Sequence, residues 1–589
     1  MGPFEILSLL CGLALFLYGM EIMGDALKKS AGNNLKSILG KMTTNPVKGF
    51  LLGLLVTAVI QSSSATTVMV VGFVNSGTMT LLQSVGVIIG ANVGTAVTAW
   101  LTALSGIGSD GAETALGIIQ WLKPDAWMPI LAVIGICLVM FSKRGKKKDI
   151  GVILLGFAIL MVGMSMMSDA VSGLKNDEGF KSILTMFSNP ILGVLAGVVL
   201  TAIVQSSSAS VGILQSLTAT GAITYGAAIP IVMGQNIGTC VTAMISSVGA
   251  NKNGKRAALV HLYFNIIGVV IVLALFYLIS WLVTPIAEFV SGTYIDMWGV
   301  ALVHTVFKII CVVIIGPFYR LLAKLATLTI KDGKESETES LLDDRLLETP
   351  AFAVGRAAEV TGIMAEIATS ALRKSLTLFE KYDAKLADDI RDKESKADVL
   401  EDALGSYLVK LSSYDMDERD SRQITKLLHI IGDYERISDH AVNIVESAEE
   451  MHDKKIEFSP QAQREITVLR GAIDEILSIA YEAFVGDDVD RASDVEPLEQ
   501  LIDELRDKIK LNHILRLQKS ECSIEHGFIL SDLLTNFERV ADHCSNIAGC
   551  VIEISAFDAL DMHKYLAQIR EGSEGYDDKF MEYKRKYSI

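Results

Sequence analysis

Two copies of the sequence Gln-Ser-Ser-Ser-Ala, at residues 61–65 and 205–209, interrupt stretches that are otherwise apolar. Four consecutive polar side chains cannot share one stripe of a helix, because successive residues are about 100° apart. At bilayer depth each unpaired polar group would cost on the order of several kcal/mol. We therefore expect each helix to break at this motif, with its polar groups facing a cavity or each other. A helix N-terminus freed by the break suits an oxyanion, and hydroxyl and carbonyl oxygens can hold Na⁺.

An internal repeat carries the two motifs. A shift of 144 residues aligns them, with about twenty identities in some fifty-five positions. The same shift aligns the Gly-x-Asn-x-Gly-Thr segments at residues 90–95 and 234–239, which predict a second interrupted helix in each half. The alternative is that these small polar residues only pack helices together, as they commonly do in membranes.

Nucleophilic catalysis by a serine is disfavoured, because the chain has no GxSxG motif. His261 and His304 stand in apolar runs and have no counterpart at the matched repeat position. We expect both to be hydrogen-bonded interior residues and the protein not to be an enzyme.

Charge and hydropathy divide the chain into two parts. The 589 residues have a mean hydropathy of +0.41 and a formal net charge of −16. Residues 1–330 hold 19 Lys and Arg against 12 Asp and Glu, and residues 331–589 hold the other 33 against 56. A membrane part therefore precedes an acidic, water-soluble part. Because a polyanion would be repelled by the soluble part, a nucleic-acid partner is excluded.

Apolar stretches predict the membrane topology. Stretches that could cross ~30 Å of hydrocarbon lie at residues 6–23, 81–104, 126–142, 150–168, 226–248, 259–284 and 298–322. The motif-bearing stretches at 49–74 and 191–216 are predicted to be re-entrant hairpins. Because Lys-rich and Arg-rich loops stay cytoplasmic, the N-terminus is expected outside, with residues 331–589 in the cytoplasm. This orientation inverts one repeat relative to the other, which is typical of alternating-access transporters.

The soluble part is predicted to be a bundle of about six long helices with a repeat of its own. Glu435 and Asp439 recur 103 residues later as Glu538 and Asp542, each pair on one helix face among apolar residues. Four carboxylates on two helices suit hard cations such as Fe³⁺, Mg²⁺ or Mn²⁺. The alternative is a structural network in which the neighbouring Arg436 and Arg539 pair with these acids.

The doubled Gln-Ser-Ser-Ser-Ala motif resembles the type II sodium-dependent phosphate cotransporters and their bacterial relatives. The resemblance implies an all-α, polytopic protein of the bacterial cytoplasmic membrane that couples Na⁺ to inorganic phosphate. The substrate and ion site that it implies comprises Gln61, Ser62, Ser63, Ser64, Thr66, Thr67, Asn92, Thr95, Gln205, Ser206, Ser207, Ser208, Ser210, Asn236 and Thr239. Since Thr66 matches Ser210, the two halves need not be equivalent.

The repeated Glu-Arg-x-x-Asp-His-x-x-Asn-Ile sequence resembles PhoU, a phosphate-uptake regulator with metal clusters on these acids. It implies that Glu435, Asp439, Glu538 and Asp542 are metal ligands in a phosphate-responsive domain. The domains predicted are a membrane domain (1–325, with repeats at 6–104 and 150–248), a linker (326–350), a PhoU-like domain (351–560) and a tail (561–589). A homodimer stays open, as do a non-transporting phosphate sensor and a transporter of sulfate or arsenate.

Overall fold

The computed structural model describes residues 2–42, 45–106, 124–142, 146–331, 341–414, 416, 418–555 and 575–589. Within these ranges the regular structure is helical, apart from one β-bridge between Thr224 and Tyr294. The chain forms two compact units, Met1–Thr349 and Pro350–Ile589. Residues 107–123 and 143–145, part of the predicted linker (332–340), and residues 556–574, where the predicted PhoU-like domain meets the tail, lie outside the described residues.

The first unit contains two successive sets of equivalent helices. The first set is α1 (Pro3–Met42), α2 (Pro46–Ile60), α3 (Ser63–Asn75), α4 (Leu81–Gly94) and α5 (Ala96–Ala103), followed by α6 (Pro124–Phe141). The second set is α7 (Lys146–Ser172), α8 (Glu178–Met186), α9 (Pro190–Val204), α10 (Ser207–Thr218), α11 (Tyr225–Gly238) and α12 (Cys240–Ser246). Then come α13 (Lys252–Leu282), α14 (Thr284–Gly292), α15 (Met297–Ile315) and α16 (Tyr319–Thr329).

The packing of α1 against α7 shows that the repeat is inverted. A Cβ placed on Gly12 would lie 2.9 Å from the carbonyl oxygen of Gly163, and one on Gly19 would lie 2.6 Å from that of Gly156. Because residue numbers rise along one helix as they fall along the other, the two helices are antiparallel. Since α1 and α7 are repeat counterparts, the two halves run in opposite directions.

Glycines also allow the hairpin arms to pack closely. A Cβ on Gly53 of α2 would lie 2.0 Å from the carbonyl oxygen of Val87 in α4. The matched Gly197 of α9 would place its Cβ 2.1 Å from the carbonyl oxygen of Ile231 in α11. Both contacts are far inside van der Waals distance, so a side chain at either position would separate the helices.

Six helical segments in the described residues are long and apolar enough to cross a membrane. They are the first part of α1, α4 with α5, α7, α11 with α12, α13, and α15 with α16. A seventh would require α8 and α9, which meet at a bend of 100°, to act as one span. The stretch at 126–142, predicted as a crossing, forms the shorter α6, whose apolar part is Ala126–Phe141. At ~1.5 Å per residue, such a helix is shorter than ~30 Å of hydrocarbon.

The described residues of the second unit form six long helices, in agreement with the predicted bundle of about six. They are α17 (Pro350–Thr377), α18 (Ala384–Ser412), α19 (Glu418–Lys454), α20 (Pro460–Gly486), α22 (Val495–Gln518) and α23 (Ile524–Ser555), with the short α21 (Val489–Ser493) between α20 and α22. Helices α17, α18 and α19 pack as one set, α20, α22 and α23 as a second, and α19 packs against α23. The described part of the tail adds α24 (Tyr576–Lys586), which packs on α22.

The described end of the linker packs on the first unit. Asp343 accepts a hydrogen bond from the side-chain amide of Asn75, the last residue of α3, at 2.7 Å. Arg345 donates to the carbonyl oxygens of Ser246, the last residue of α12, and of Val248, two residues further on. Leu346 is fully buried and lies beside Gly72 of α3. Residues from both repeat halves therefore hold the segment that leads into the second unit.

Candidate transport site

Both Gln-Ser-Ser-Ser motifs form the tips of broken hairpins, as predicted. Helices α2 and α9 are each followed by a capping glutamine, Gln61 (φ 59°, ψ 21°) and Gln205 (φ 55°, ψ 19°), and both glutamines are left-handed. The next residues, Ser62 and Ser206, are extended and cap the following helices. Each serine Oγ accepts from the backbone N–H three residues on, at 3.2 Å. The left-handed backbone of the glutamine therefore ends one helix, and a new helix begins after the capping serine, within the apolar segment.

The two tips line one common cavity of about 260 Å³. Its wall comprises Gln61, Ser62, Ser63, Ser64, Gln205, Ser206, Ser207 and Ser208, together with Ile60 and with Met20, Glu21, Gly24, Asp25 and Lys28 of α1. All eight predicted motif residues are thus brought together from positions 144 apart.

Two helix N-termini open into this cavity, those of α3 and α10. The first N–H groups of a helix have no partner within it and carry a partial positive charge, which favours an anion. The serine hydroxyls beside them can donate to an oxyanion or offer oxygens to Na⁺. The site can therefore accommodate an anion and a cation side by side.

Three charged residues of α1 were missed as cavity residues from the sequence alone. Glu21, Asp25 and Lys28 line the cavity, and Lys28 forms an ion pair with Asp25 at 2.9 Å. Their i, i+4, i+7 spacing, which places side chains on one helix face, was the available signal.

The neighbouring predicted residues Thr66, Thr67 and Ser210 are buried but do not line the cavity. The hydroxyl of Thr57 donates to that of Thr66 at 3.0 Å, and in the second half Thr201 donates to Ser210 at 2.8 Å. These bonds connect the two arms of each hairpin. Thr67 donates to the carbonyl oxygen of Ser63 at 2.8 Å. Their position indicates that they support the tips.

The Gly-x-Asn-x-Gly-Thr segments do divide each helix, between α4 and α5 and between α11 and α12. The break is shallow, since Thr95 (φ −64°) and Thr239 (φ −60°) keep right-handed helical geometry. The predicted residues Asn92, Thr95, Asn236 and Thr239 are buried outside the cavity wall. One turn further on, Thr98 donates to Gln61 Oε1 at 2.8 Å and connects the first break to the tip.

Lys308 is the functional candidate that sequence analysis missed. It is 3% exposed in α15, and its Nζ contacts Asn92 O and Thr95 Oγ1 at the first break. A lone basic residue inside an apolar span was the available signal. His261 and His304 are buried, as predicted, but the Nδ1 of each has no hydrogen-bond partner in the described structure. For these atoms the prediction of hydrogen bonding is wrong.

The four carboxylates of the second unit each lie beside an arginine. Arg436 lies 3.4 Å from both Glu435 and Asp439. Arg506 and Arg539 pair in the same way with Glu538 (2.5 Å) and Asp542 (3.4 Å). Among the described residues no three His, Cys, Asp or Glu side chains converge as metal ligands. This arrangement fits the arginine-network alternative, and metal binding stays a prediction.

Burial raises the pKa of Glu435, and the charge of Asp439 raises it further. Burial and Glu538 raise the pKa of Asp542 in the same way. Both carboxyls therefore hold their protons to higher pH than an exposed acid does.

The histidines of this second repeat join α19 to α23 reciprocally. His440 Nδ1 lies 2.8 Å from the amide oxygen of Asn536, and His543 Nδ1 lies 2.9 Å from the carboxylate of Asp433. Asp433 and Asn536 are themselves 103 residues apart, the repeat distance. This role was not predicted, although His440 and His543 recur at the repeat distance in the sequence.

An inverted helical repeat with two broken hairpins around a polar cavity defines a membrane protein of secondary-transporter architecture. The chain belongs to the Na⁺/Pi-cotransporter family, whose sequence model matches residues 15–169 and 159–293. A PhoU domain matches residues 362–448 and 467–551. These matches confirm the predicted family, the PhoU-like domain and the prediction that the protein is not an enzyme, since neither family consists of enzymes.

Curated relatives cover most of the chain or its membrane half. YjbB of Escherichia coli O157:H7, whose name gives inorganic phosphate export as a provisional role, is 27% identical over 93% of this chain and 97% of its own length. The uncharacterized YqeW of Bacillus subtilis is 31% identical over 46% of this chain and 81% of its own length. Sodium-dependent phosphate transport protein 2B of Pongo abelii is 40% identical over 26% of this chain and 22% of its own length.

Proposed function

We propose that this chain is a sodium-coupled secondary transporter of inorganic phosphate and that the cavity between the hairpin tips is its binding site. The observation that carries the proposal is the convergence of both Gln-Ser-Ser-Ser tips, each followed by a helix N-terminus, on one cavity. The two N-termini and their serine hydroxyls suit a phosphate oxyanion. Hydroxyl and carbonyl oxygens beside them suit Na⁺, whose charge offsets that of the anion.

The two tips differ in exposure, which supports alternating access. Gln61 is 6% exposed and is held by Thr98, whereas Gln205 is exposed. The first hairpin tip is therefore closed, because its glutamine is bonded within its own half, whereas the second tip is open. In an inverted repeat, exchange of these two arrangements would open the cavity to the opposite side.

The proposed location is the bacterial cytoplasmic membrane, with the N-terminus outside and the PhoU-like domain in the cytoplasm. The basis is the clustering of Lys and Arg in alternate loops. In this orientation residues 341–349 contact the cytoplasmic end of α3, one arm of the first hairpin. A change in the PhoU-like domain that moved this segment would act on the hairpin, which is the proposed route of regulation. A homodimer stays a prediction, to be tested by measuring mass in detergent.

The test uses purified protein in proteoliposomes, with labelled phosphate and an imposed Na⁺ gradient in each direction. We expect phosphate to follow the Na⁺ gradient and the flux to vanish when choline replaces Na⁺. Unlabelled sulfate and arsenate compete in parallel. Stronger inhibition by sulfate or arsenate than by unlabelled phosphate would identify that anion as the preferred substrate. The absence of phosphate flux under both gradients would favour the non-transporting phosphate sensor.

A further inference from the structure

Lys308 places a positive charge where a helix break presents oxygens. Its ammonium contacts the carbonyl oxygen of Asn92, in the last turn of α4, and the hydroxyl of Thr95, the residue between α4 and α5. Thr95 in turn donates to the same carbonyl oxygen at 2.7 Å. A helix C-terminus carries a partial negative charge, so this end of α4 favours a cation.

No carboxylate faces Lys308 in the described structure. A buried ammonium without a counter-ion is costly, and such residues in membrane proteins usually have a function. The side chains of His261 and His304, whose Nδ1 atoms have no hydrogen-bond partner in the described structure, also lie close enough to Lys308 to interact with it electrostatically. Among the described residues, the hydrogen-bond contacts of the Lys308 ammonium are thus to neutral oxygens, which are the surroundings of a bound cation.

The matching break of the second half lacks this arrangement. There Thr239 donates to the carbonyl oxygen of Gln235 at 2.9 Å, and the side-chain amide of Asn236 donates to Val232. Among side chains of the described residues, the one that contacts the carbonyl oxygen of Asn236 is Cys240, through a long Sγ contact of 3.8 Å. Among the described residues, no basic side chain reaches Asn236 or Thr239. The same oxygens are thus occupied by an ammonium in one half and available in the other.

We propose that Lys308 is a tethered cation that takes the place of a sodium ion at the α4–α5 break, while the α11–α12 break binds Na⁺. The inference rests on the proposed sodium coupling and deepens it, because it makes the two halves unequal in their use of the ion. Through Thr98 the occupied break holds Gln61, so the first hairpin tip would stay ordered without an ion from solution.

The test measures thermal unfolding of the full chain in detergent, in Na⁺ and in choline at equal ionic strength, and so does not depend on transport. Lys308→Ala removes the charge and leaves space, whereas Lys308→Met removes the charge and fills the space. We expect both variants to unfold at lower temperature in choline, and only Lys308→Ala to recover in Na⁺ by more than the wild type. Equal sodium responses in wild type and Lys308→Ala would overturn the proposal.

A second pair of variants keeps the inference testable if Lys308→Ala does not fold. Thr239→Val is expected to remove the sodium response of the wild type, and the matched Thr95→Val to keep it. The reverse result, or loss in both, would overturn the assignment. Absence of sodium-driven phosphate flux with these thermal responses intact would reject the proposed transport function and leave the cation assignment standing.

Discussion

Gln61 and Gln205, 144 residues apart, hold the same left-handed backbone conformation at the two hairpin tips, with φ of 59° and 55°. An L residue in this region costs roughly 1–2 kcal/mol, whereas glycine adopts it freely. A glutamine at both matched positions therefore indicates that the side chain is needed there, and not the turn alone.

Replacement of Gln61 by glycine removes the bond to Thr98 and relieves the backbone strain of the left-handed turn, whereas replacement by alanine removes the bond and keeps that strain. We expect both variants to lose phosphate flux, because the side chain joins the hairpin tip to α5. Alanine should in addition lower the free energy of unfolding by about 1 kcal/mol relative to glycine. Proteoliposome flux and thermal unfolding in detergent measure the two effects. Full phosphate flux in the glycine variant would show that only the left-handed turn at residue 61, and not the glutamine side chain, is required.

Ser207 provides a hydroxyl at the N-terminus of α10 and lines the cavity. A hydrogen bond to a charged group contributes about 1.5–3 kcal/mol, so Ser207→Ala should weaken apparent phosphate or Na⁺ affinity by roughly tenfold to a hundredfold. The matched control is Ser216→Ala on the same helix, because Ser216 is buried, donates to Gly212 and does not line the cavity. Equal kinetics for the two variants would argue against the site.

Gly53 and Gly49 of α2 both face α4 and differ in the room beside them. A Cβ on Gly53 would lie 2.0 Å from the Val87 carbonyl oxygen, whereas one on Gly49 would lie 3.5 Å from the nearest atom, a Val87 methyl group. We expect Gly53→Ala to cost about 1–3 kcal/mol or more, and Gly49→Ala to have little effect. Thermal unfolding in detergent checks this, and equal stability of the two variants would contradict the close packing.

The raised pKa of Glu435 predicts a pH-dependent stability. Above its folded pKa the partly buried carboxylate beside Asp439 destabilises the fold, and the effect disappears as pH falls through that pKa towards the ordinary value of 4.5. Glu435→Gln should therefore unfold at higher temperature than the wild type near neutral pH, with the difference shrinking at lower pH. Glu418→Gln, on an exposed position of the same helix, is the control. If the difference in unfolding temperature between Glu435→Gln and the wild type grew as pH fell, the prediction would be contradicted.

Metal binding by the PhoU-like domain can be tested on the same carboxylates. Calorimetric titration of Mn²⁺ into the full chain should show binding that is lost in Glu435→Ala with Glu538→Ala, since Mn²⁺ prefers carboxylate oxygens. We expect this double variant to keep phosphate flux and to lose any effect of Mn²⁺ on it. Identical titrations of the wild type and the double variant would show that these acids do not bind the metal. They would then be structural partners of arginines, as Glu538 is of Arg506.

Local sequence was sufficient for the fold class and for both hairpin tips. Four consecutive polar residues such as Gln61–Ser64 can be accommodated in an apolar layer only if the helix breaks and their polar groups face a cavity. Helical periodicity likewise predicted the six long helices of the second unit. The repeats marked equivalent positions, because duplicated sequence folds into duplicated elements.

Only the tertiary structure decided which residues share the site. Glu21, Asp25 and Lys28 join the cavity because α1 packs against α2 and α10, the helices next to the two tips, a relation that no local pattern contains. Lys308 reaches Asn92 and Thr95 across more than 200 residues of sequence. Periodicity fixes which face of a helix is apolar, whereas the partner of that face depends on long-range packing of the whole chain.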